Sequence, residues 1–294
     1  MLRIYAILIL GVCITSSSSL LIRWAGDVPF TVLAFYRLFI SSFLLSIFYI
    51  VTTRKKNKTL PFVHWHYFLA GLFLAGHFIT WIASLQMTTI AHSIFLQSTH
   101  PIFAVIFSIL FLRESPSVKS IPAFLLAICG VLLIVYGDFG EAATDIFGDL
   151  LAIAAAILLA LYLMIARYHK NEPDFIKYLI IVYGSAALLC AIFMIFSGNR
   201  FMGYSALTWW MILLLALGPN LLGHSLLNWS SRLIEIFKVN LTLQLEPVLA
   251  TLAGMIFFLE YPSRNFYTGA GLIVFSVLYL YYSEKKENVY KRLE

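Results

Sequence analysis

The sequence predicts an all-α membrane protein, with ten transmembrane helices arranged as two inverted five-helix repeats, and three observations predict it. Of its 294 residues, 61% are hydrophobic and only 12% are charged, about half the roughly 25% charged content of soluble domains. Basic residues gather in alternate breaks between the apolar runs. Two stretches 146 residues apart, "HPIFAVIFSILFLRESPS" from His100 and "EPVLATLAGMIFFLEYPS" from Glu246, repeat one another.

About 20 apolar residues are needed to cross a hydrocarbon core of roughly 30 Å. Ten runs of this kind follow in order: Ile4 to Trp24, Phe30 to Val51, Trp65 to Leu85, Ile90 to Leu112, Ile121 to Tyr136, Phe147 to Ala166, Ile176 to Phe196, Leu207 to Trp229, Phe237 to Leu259 and Phe266 to Tyr282. A mean hydropathy of +0.90 agrees with them. The net charge of +6 does not mark a nucleic-acid binder, because the cations alternate with the loops. With the N-terminus placed inside, Arg3, Arg54, Lys55, Lys56, Lys58, Arg113, Lys119, Arg167, Lys170, Lys177, Arg232, Lys238, Lys285, Lys286, Lys291 and Arg292 all fall on that side. Arg23, Arg200 and Arg264 lie at the outer edge, a bias of 16 to 3. The positive-inside rule then puts both termini in the cytoplasm of a multi-pass cell-membrane protein. The acidic segment "GDFGEAATDIFGD" is an outer loop in this orientation.

Arg3 ahead of an apolar core and the serines Ser16 to Ser19 imitate a secretory signal. Cleavage there would remove the first helix of the repeat, so the segment is expected to stay. Cys13, Cys129 and Cys190 fall inside apolar spans at unrelated spacings and are read as small packing residues, not a disulfide or metal framework.

Between His100–Ser117 and Glu246–Ser263 six positions are identical, including Pro101/Pro247 and Glu114/Glu260. Upstream, "GHFITWIAS" from Gly76 aligns with "GHSLLNWSS" from Gly223. Residues 1–140 thus make a first repeat and 141–294 a second, ending in a short cytoplasmic tail. Five spans is an odd number, so the second repeat enters the membrane inverted. Glu114 and Glu260 end their spans 14 residues beyond His100 and Glu246, which at 1.5 Å per residue is roughly 21 Å. His100 and Glu246 therefore lie near the midplane, and His77 and His224 share that depth.

A carboxylate at the bilayer centre costs about 3 kcal/mol and faces the bundle interior, which makes Glu246 the leading site residue. Pro101 and Pro247, mid-span, break their helices, and such breaks survive in lipid only beside protein or a wet cavity. His224, Asn228 and Ser231 form one polar stripe at helical spacing, matched by His77, Trp81 and Ser84. Buried interhelical hydrogen bonding competes with substrate binding as the role of these stripes. Arg37 lies about seven residues below the outer end of its span, within snorkelling reach, so anchoring competes with anion binding. Ala152, Ala156 and Ala160 form a small-residue packing face. The Glu114 and Glu260 ends are expected to terminate helices and brace loops.

These features resemble the EamA family of the drug/metabolite transporter superfamily. The resemblance spans nearly the whole chain. It is carried by "FYRLFISSFLL", by Pro101 to Glu114 and Pro247 to Glu260, by "FGDLLAIAAAILLALYL" and by "GHSLLNW". It implies that spans one to four and six to nine surround a central cavity, with spans five and ten peripheral. It also implies carriage of small metabolites, often amino acids or other amphiphilic compounds, and frequently export. Where many relatives have a Trp-Gly-Ser-Asn type stretch in the first span, this chain has "TSSSS".

The expected function is secondary transport by alternating access, with Glu246 binding an amine or a proton. His77, His100 and His224, which titrate near neutral pH when unperturbed, would assist, while Asn228 and Trp81 orient the cargo. An intramembrane enzyme and a binding-only receptor are the alternatives. Against the enzyme, the chain has no HExxH and no GxSxG. No metal, cofactor or nucleic acid is expected, no nucleotide-binding loop suggests ATP use, and the working unit is expected to be a monomer in the bilayer.

Overall fold

The computed structural model describes residues 2–53, 64–88, 90–136, 145–259 and 261–290. Arg54 to Lys58, residues 137–144 of the acidic loop, Glu260, Lys291 and Arg292 lie outside the described residues. Among the described residues every element is helical. Among these residues nine segments are long and apolar enough to cross a membrane, and Val118–Ile134, where the fifth span is expected, is an apolar stretch of fewer described residues.

The first segment is split into α1 (Leu2–Thr15) and α2 (Ser18–Ala25). Its serines cause the split. Thr15 and Ser16 hydroxyls both donate to the Val12 carbonyl (3.0 and 2.6 Å), and Ser17 donates to Ile14 O (2.7 Å), so side chains compete with backbone N–H groups for the helix carbonyls. α3 (Phe30–Thr53) and α4 (Trp65–Met87) are continuous. The fourth segment divides at Ser98–Thr99 into α5 (Ile90–Gln97) and α6 (His100–Phe107), followed by a π-helical turn, Ser108–Leu112. Then come α7 (Ile121–Tyr136), α8 (Ile146–Tyr168) and α9 (Phe175–Phe196). α10 (Ala206–Leu215) runs through a π-helical segment, Ala216–His224, into α11 (Ser225–Leu233). The next segment divides at Gln244 into α12 (Ile236–Leu243) and α13 (Leu245–Phe258), and α14 (Arg264–Tyr290) closes the chain.

The two mid-span breaks are thus present, but they fall just ahead of the prolines. Pro101 and Pro247 sit in the first turns of α6 and α13, where a missing N–H costs the new helix nothing. Ser98 and Gln244 hold corresponding places, 146 residues apart, and they meet: Gln244 Nε2 donates to Ser98 O at 2.5 Å. Arg113 and Leu259, also 146 residues apart, both end their segments in the left-handed region, at φ 56° and 57°, a conformation that non-glycine residues adopt at a cost of about 1 kcal/mol or more.

Neighbouring helices pair antiparallel. Between α3 and α9, Tyr49 Oη donates to Asp174 Oδ2 (2.7 Å), Ser42 Oγ to Ile180 O (3.1 Å), and Phe30 meets Phe193. Between α4 and α8, Thr88 Oγ1 donates to Asp149 Oδ1 (2.7 Å) and the His77 Nδ1 pairs with Ala155 O (2.9 Å). Ala152, Ala156 and Ala160 are fully buried, as their spacing predicts. Of the cysteines only Cys190 is packed inside; Cys13 and Cys129 face outward, because an apolar thiol needs no shelter from lipid.

α7 and α14 approach most closely through Gly130 and Gly269, with Ser276 Oγ donating to Ala123 O at 2.6 Å beside them. A Cβ on Gly130 would stand 2.7 Å from Gly269 O, and one on Gly269 would strike Gly130 O. Gly269→Val is therefore expected to cost about 1–3 kcal/mol, read as a lower Tm in detergent. Gly271→Ala, into open space on the same helix, is expected to leave Tm unchanged.

At the end of the bundle formed by the C-terminus of α8, Arg167 grips Glu114 with Nη2 and Nε at 2.8 to 3.1 Å. Its Nη1 also donates to Arg232 O at 3.0 Å, so Glu114 braces the turn that follows α6, as predicted.

Candidate functional site

A cavity opens where four segments are interrupted. Thr15 and Ser18 flank the α1/α2 break, Gln97 ends α5, His224 ends the π-helical segment, and Leu243 and Glu246 flank the α12/α13 break; all line it. α3 contributes Arg37, α4 contributes His77, Phe78 and Trp81, and Leu159 and Leu227 complete the wall. An uninterrupted helix would use residue 97's carbonyl to accept from residue 101, and residue 243's from residue 247. The prolines have no N–H, and so both residues left without that donor border the cavity. Its depth is mid-membrane: Glu246 is the eleventh of 23 residues in its span and His77 the thirteenth of 23.

Arg37 does not snorkel. It is only 1% exposed, its Cζ lies 3.9 Å from the Phe78 ring centroid, and none of its three guanidinium nitrogens has a hydrogen-bond partner among the described residues. The cause is the face of α3 that carries it. One turn on, Ser41 donates to Ala216 O at 2.8 Å, so this face packs on the π-helical segment and Arg37 points inward. The cation–π contact offsets about 2 kcal/mol of the desolvation, well short of the several kcal/mol that a buried charge costs.

Glu246 stands in the first turn of α13, half-buried against the cavity, where the helix N-terminus favours negative charge. No hydrogen bond or ion pair joins it to Arg37 among the described residues, so opposite charges face one space without closing on each other. Trp81 and His77, one turn apart, stack with their planes 2° from parallel and centroids 6.2 Å apart. His224 meets the Phe78 ring edge-on at 5.1 Å, and its Nδ1 is buried without a hydrogen-bond partner among the described residues. The cavity thus offers an anion-seeking group, a cation-seeking group, aromatic faces and hydroxyls.

Of the predicted site residues, Glu246, His77, His224, Trp81 and Arg37 are brought together. His100 is not among the lining residues; its Nδ1 pairs with Asn240 Oδ1 at 2.8 Å, tying α6 to α12. Asn228 is also behind the wall, its Nδ2 donating to Tyr162 Oη and, at 2.8 Å, to His224 O. It positions the turn that carries His224. Gln97, Ser18, Thr15 and Phe78 escaped sequence reasoning. Gln97 carried a usable signal, a polar residue mid-span one turn ahead of Pro101. The π-helical segment also went unforeseen, although Gly218-Pro219 mid-span marks it; such segments concentrate at functional sites. Among the described residues, no three metal-ligating side chains of the cavity lie close enough to share an ion.

A polytopic helical bundle that keeps a charged cavity at mid-membrane, ringed by broken helices, is the architecture of a membrane transporter. The EamA-like transporter family matches residues 2–136 and 146–282, and the chain belongs to this family. It is 24% identical over 260 residues to the uncharacterized transporter YdfC of Bacillus subtilis, covering 87% of this chain and 83% of that protein. It is 24% identical over 255 residues to an S-adenosylmethionine uptake transporter of Rickettsia bellii, covering 86% and 84%. A solved crystal structure shares the fold with a TM-score of 0.78 at 19% identity, covering 95% of this chain and 96% of that one. The protein is accordingly a multi-pass membrane transporter of small molecules, not an enzyme.

Proposed function

We propose that the chain is a secondary transporter whose cavity holds a small zwitterionic metabolite of amino-acid type, Arg37 taking its carboxylate and Glu246 its ammonium group. The observation that carries this is the pair of unlike charges lining one mid-membrane cavity without a mutual bond. Trp81, His77 and Phe78 would contact the apolar part of the cargo, and Thr15 and Ser18 supply hydroxyls. The Rickettsia relative's name specifies S-adenosylmethionine, itself an amino-acid derivative with both of these groups.

Transport would proceed by alternating access between two inverted repeats, residues 1–140 and 141–294. Four features support the inversion: the two segments matched by the family, the Ser98–Gln244 contact, the paired left-handed ends, and the α7/α14 crossing. In that crossing Ala123 meets Ser276 and Gly130 meets Gly269, so the two helices run in opposite senses. The basic bias supports a cell-membrane orientation with both termini on the cytoplasmic side. Glu246 also offers a place for a proton in exchange for cargo, and direction follows the gradients supplied.

The test is counterflow in sealed proteoliposomes with a panel of amino acids and S-adenosylmethionine, run at two pH values on the monomeric fraction. Accumulation of at least one zwitterion against unlabelled internal cargo is expected. Binding with no flux for any member would instead indicate a receptor.

A further inference from the structure

A second cluster of ionisable groups lies away from the cavity, where the start of α4 meets the turn between α8 and α9. His64 caps α4 on its N-terminal side, His169 follows the last residue of α8, and Glu172 lies in the turn leading to α9. One donor atom of each of the three lies within 4.8 Å of the others. The His64 and His169 rings are 5.0 Å apart, and His64 Nε2 is 3.9 Å from Glu172 Oε2.

We propose that His64, His169 and Glu172 form a binding site for a zinc-class divalent transition ion. Two imidazoles and one carboxylate are the donors such an ion prefers, whereas magnesium and calcium take oxygen ligands. Ligand atoms on one tetrahedral zinc stand roughly 3.3 Å apart, so small rotations of these side chains close the set and water takes the fourth position.

Two further observations support it. His169 Nε2 is buried and has no hydrogen-bond partner among the described residues, so a ring nitrogen sits unused in a polar cluster. Tyr67 Oη donates to Glu172 Oε2 at 2.6 Å, the outer-sphere hydrogen bond that characteristically orients a ligating carboxylate. Glu172 is also fixed through its backbone, because its carbonyl accepts from Arg232 Nη2. The ligands come from two distant parts of the chain that meet at the end of the α4/α8 pair, so an ion there would tie those parts together. The site is independent of the transport reading.

The experiment uses the full chain in detergent, purified through a tag without histidines and stripped with EDTA. Zinc chloride at about 10–100 µM should raise Tm measurably, by the linkage between binding and stability, and equal magnesium chloride should not. Cobalt(II) should give the intense visible absorption of tetrahedral coordination. Glu172→Gln and His169→Ala should each weaken zinc binding at least about tenfold, and Tyr67→Phe should weaken it by a smaller factor, within the roughly 10–100-fold seen for outer-sphere changes. If His169→Ala does not fold, Glu172→Gln and the wild-type cobalt spectrum decide. No zinc-dependent shift in the wild type up to about 1 mM, or shifts equal in wild type and Glu172→Gln, would overturn the proposal.

Discussion

Glu246→Gln should abolish counterflow of a zwitterionic cargo while the protein still elutes as a folded monomer. Glutamine keeps the shape and hydrogen-bonding reach of the side chain and removes the charge that would meet an ammonium group. Binding energy lost with a charge-assisted hydrogen bond is about 1.5–3 kcal/mol, so affinity should fall roughly 10- to 100-fold, which isothermal titration or competition reads directly. Because the residue lies half-buried on the cavity and not in the packed interior, little stability should go with it. Wild-type flux in this variant would remove Glu246 from the mechanism.

Arg37→Met should separate stability from function even more sharply. The arginine is buried, makes a cation–π contact with Phe78 and has three nitrogens without partners among the described residues. Replacing a poorly compensated buried charge with an apolar side chain of similar length is commonly neutral or stabilising by about 1–4 kcal/mol, against at most about 2 kcal/mol lost with the cation–π contact. The variant is expected to melt at or above the wild-type temperature, and to lose flux. A substantially lower Tm with flux retained would mean that the guanidinium is a structural brace. A residue that destabilises the empty protein, yet is placed where a cargo carboxylate could neutralise it, is how a binding site differs from a core.

Much of the fold was legible because hydrocarbon imposes a crude, strong rule: each span must be about 20 apolar residues. Among the described residues nine spans follow it, and the apolar stretch found where the fifth is expected is Val118–Ile134. The internal likeness of His100–Ser117 and Glu246–Ser263 located two breaks, since proline cannot continue a helix hydrogen-bond ladder. It placed them at the prolines and not at Ser98 and Gln244, where the helices divide and where Gln244 Nε2 donates to Ser98 O.

The site was legible in part. Ionisable residues at mid-membrane are costly, so Glu246, His77 and His224 stood out. Depth alone cannot say which way a side chain points around its helix. His100 was expected beside Glu246 and turns instead to Asn240, while Arg37 was allowed to snorkel and points inward because Ser41 bonds the π-helical segment. Phe78 looks like an ordinary span residue until the helices are assembled.

The most direct test of the paired-charge site compares three matched compounds as competitors of counterflow: an amino acid that the protein carries, the amine lacking its carboxylate, and the acid lacking its amine. In wild-type proteoliposomes only the zwitterion should compete well, with either truncated compound weaker by about tenfold or more, near 1.4 kcal/mol. In the variants, whose flux is lost, the same three compounds are compared by binding titration in detergent: Arg37→Met should erase the penalty for the missing carboxylate, and Glu246→Gln the penalty for the missing amine. Equal competition by all three compounds in the wild type would contradict the assignment of Arg37 and Glu246 to the two ends of the cargo.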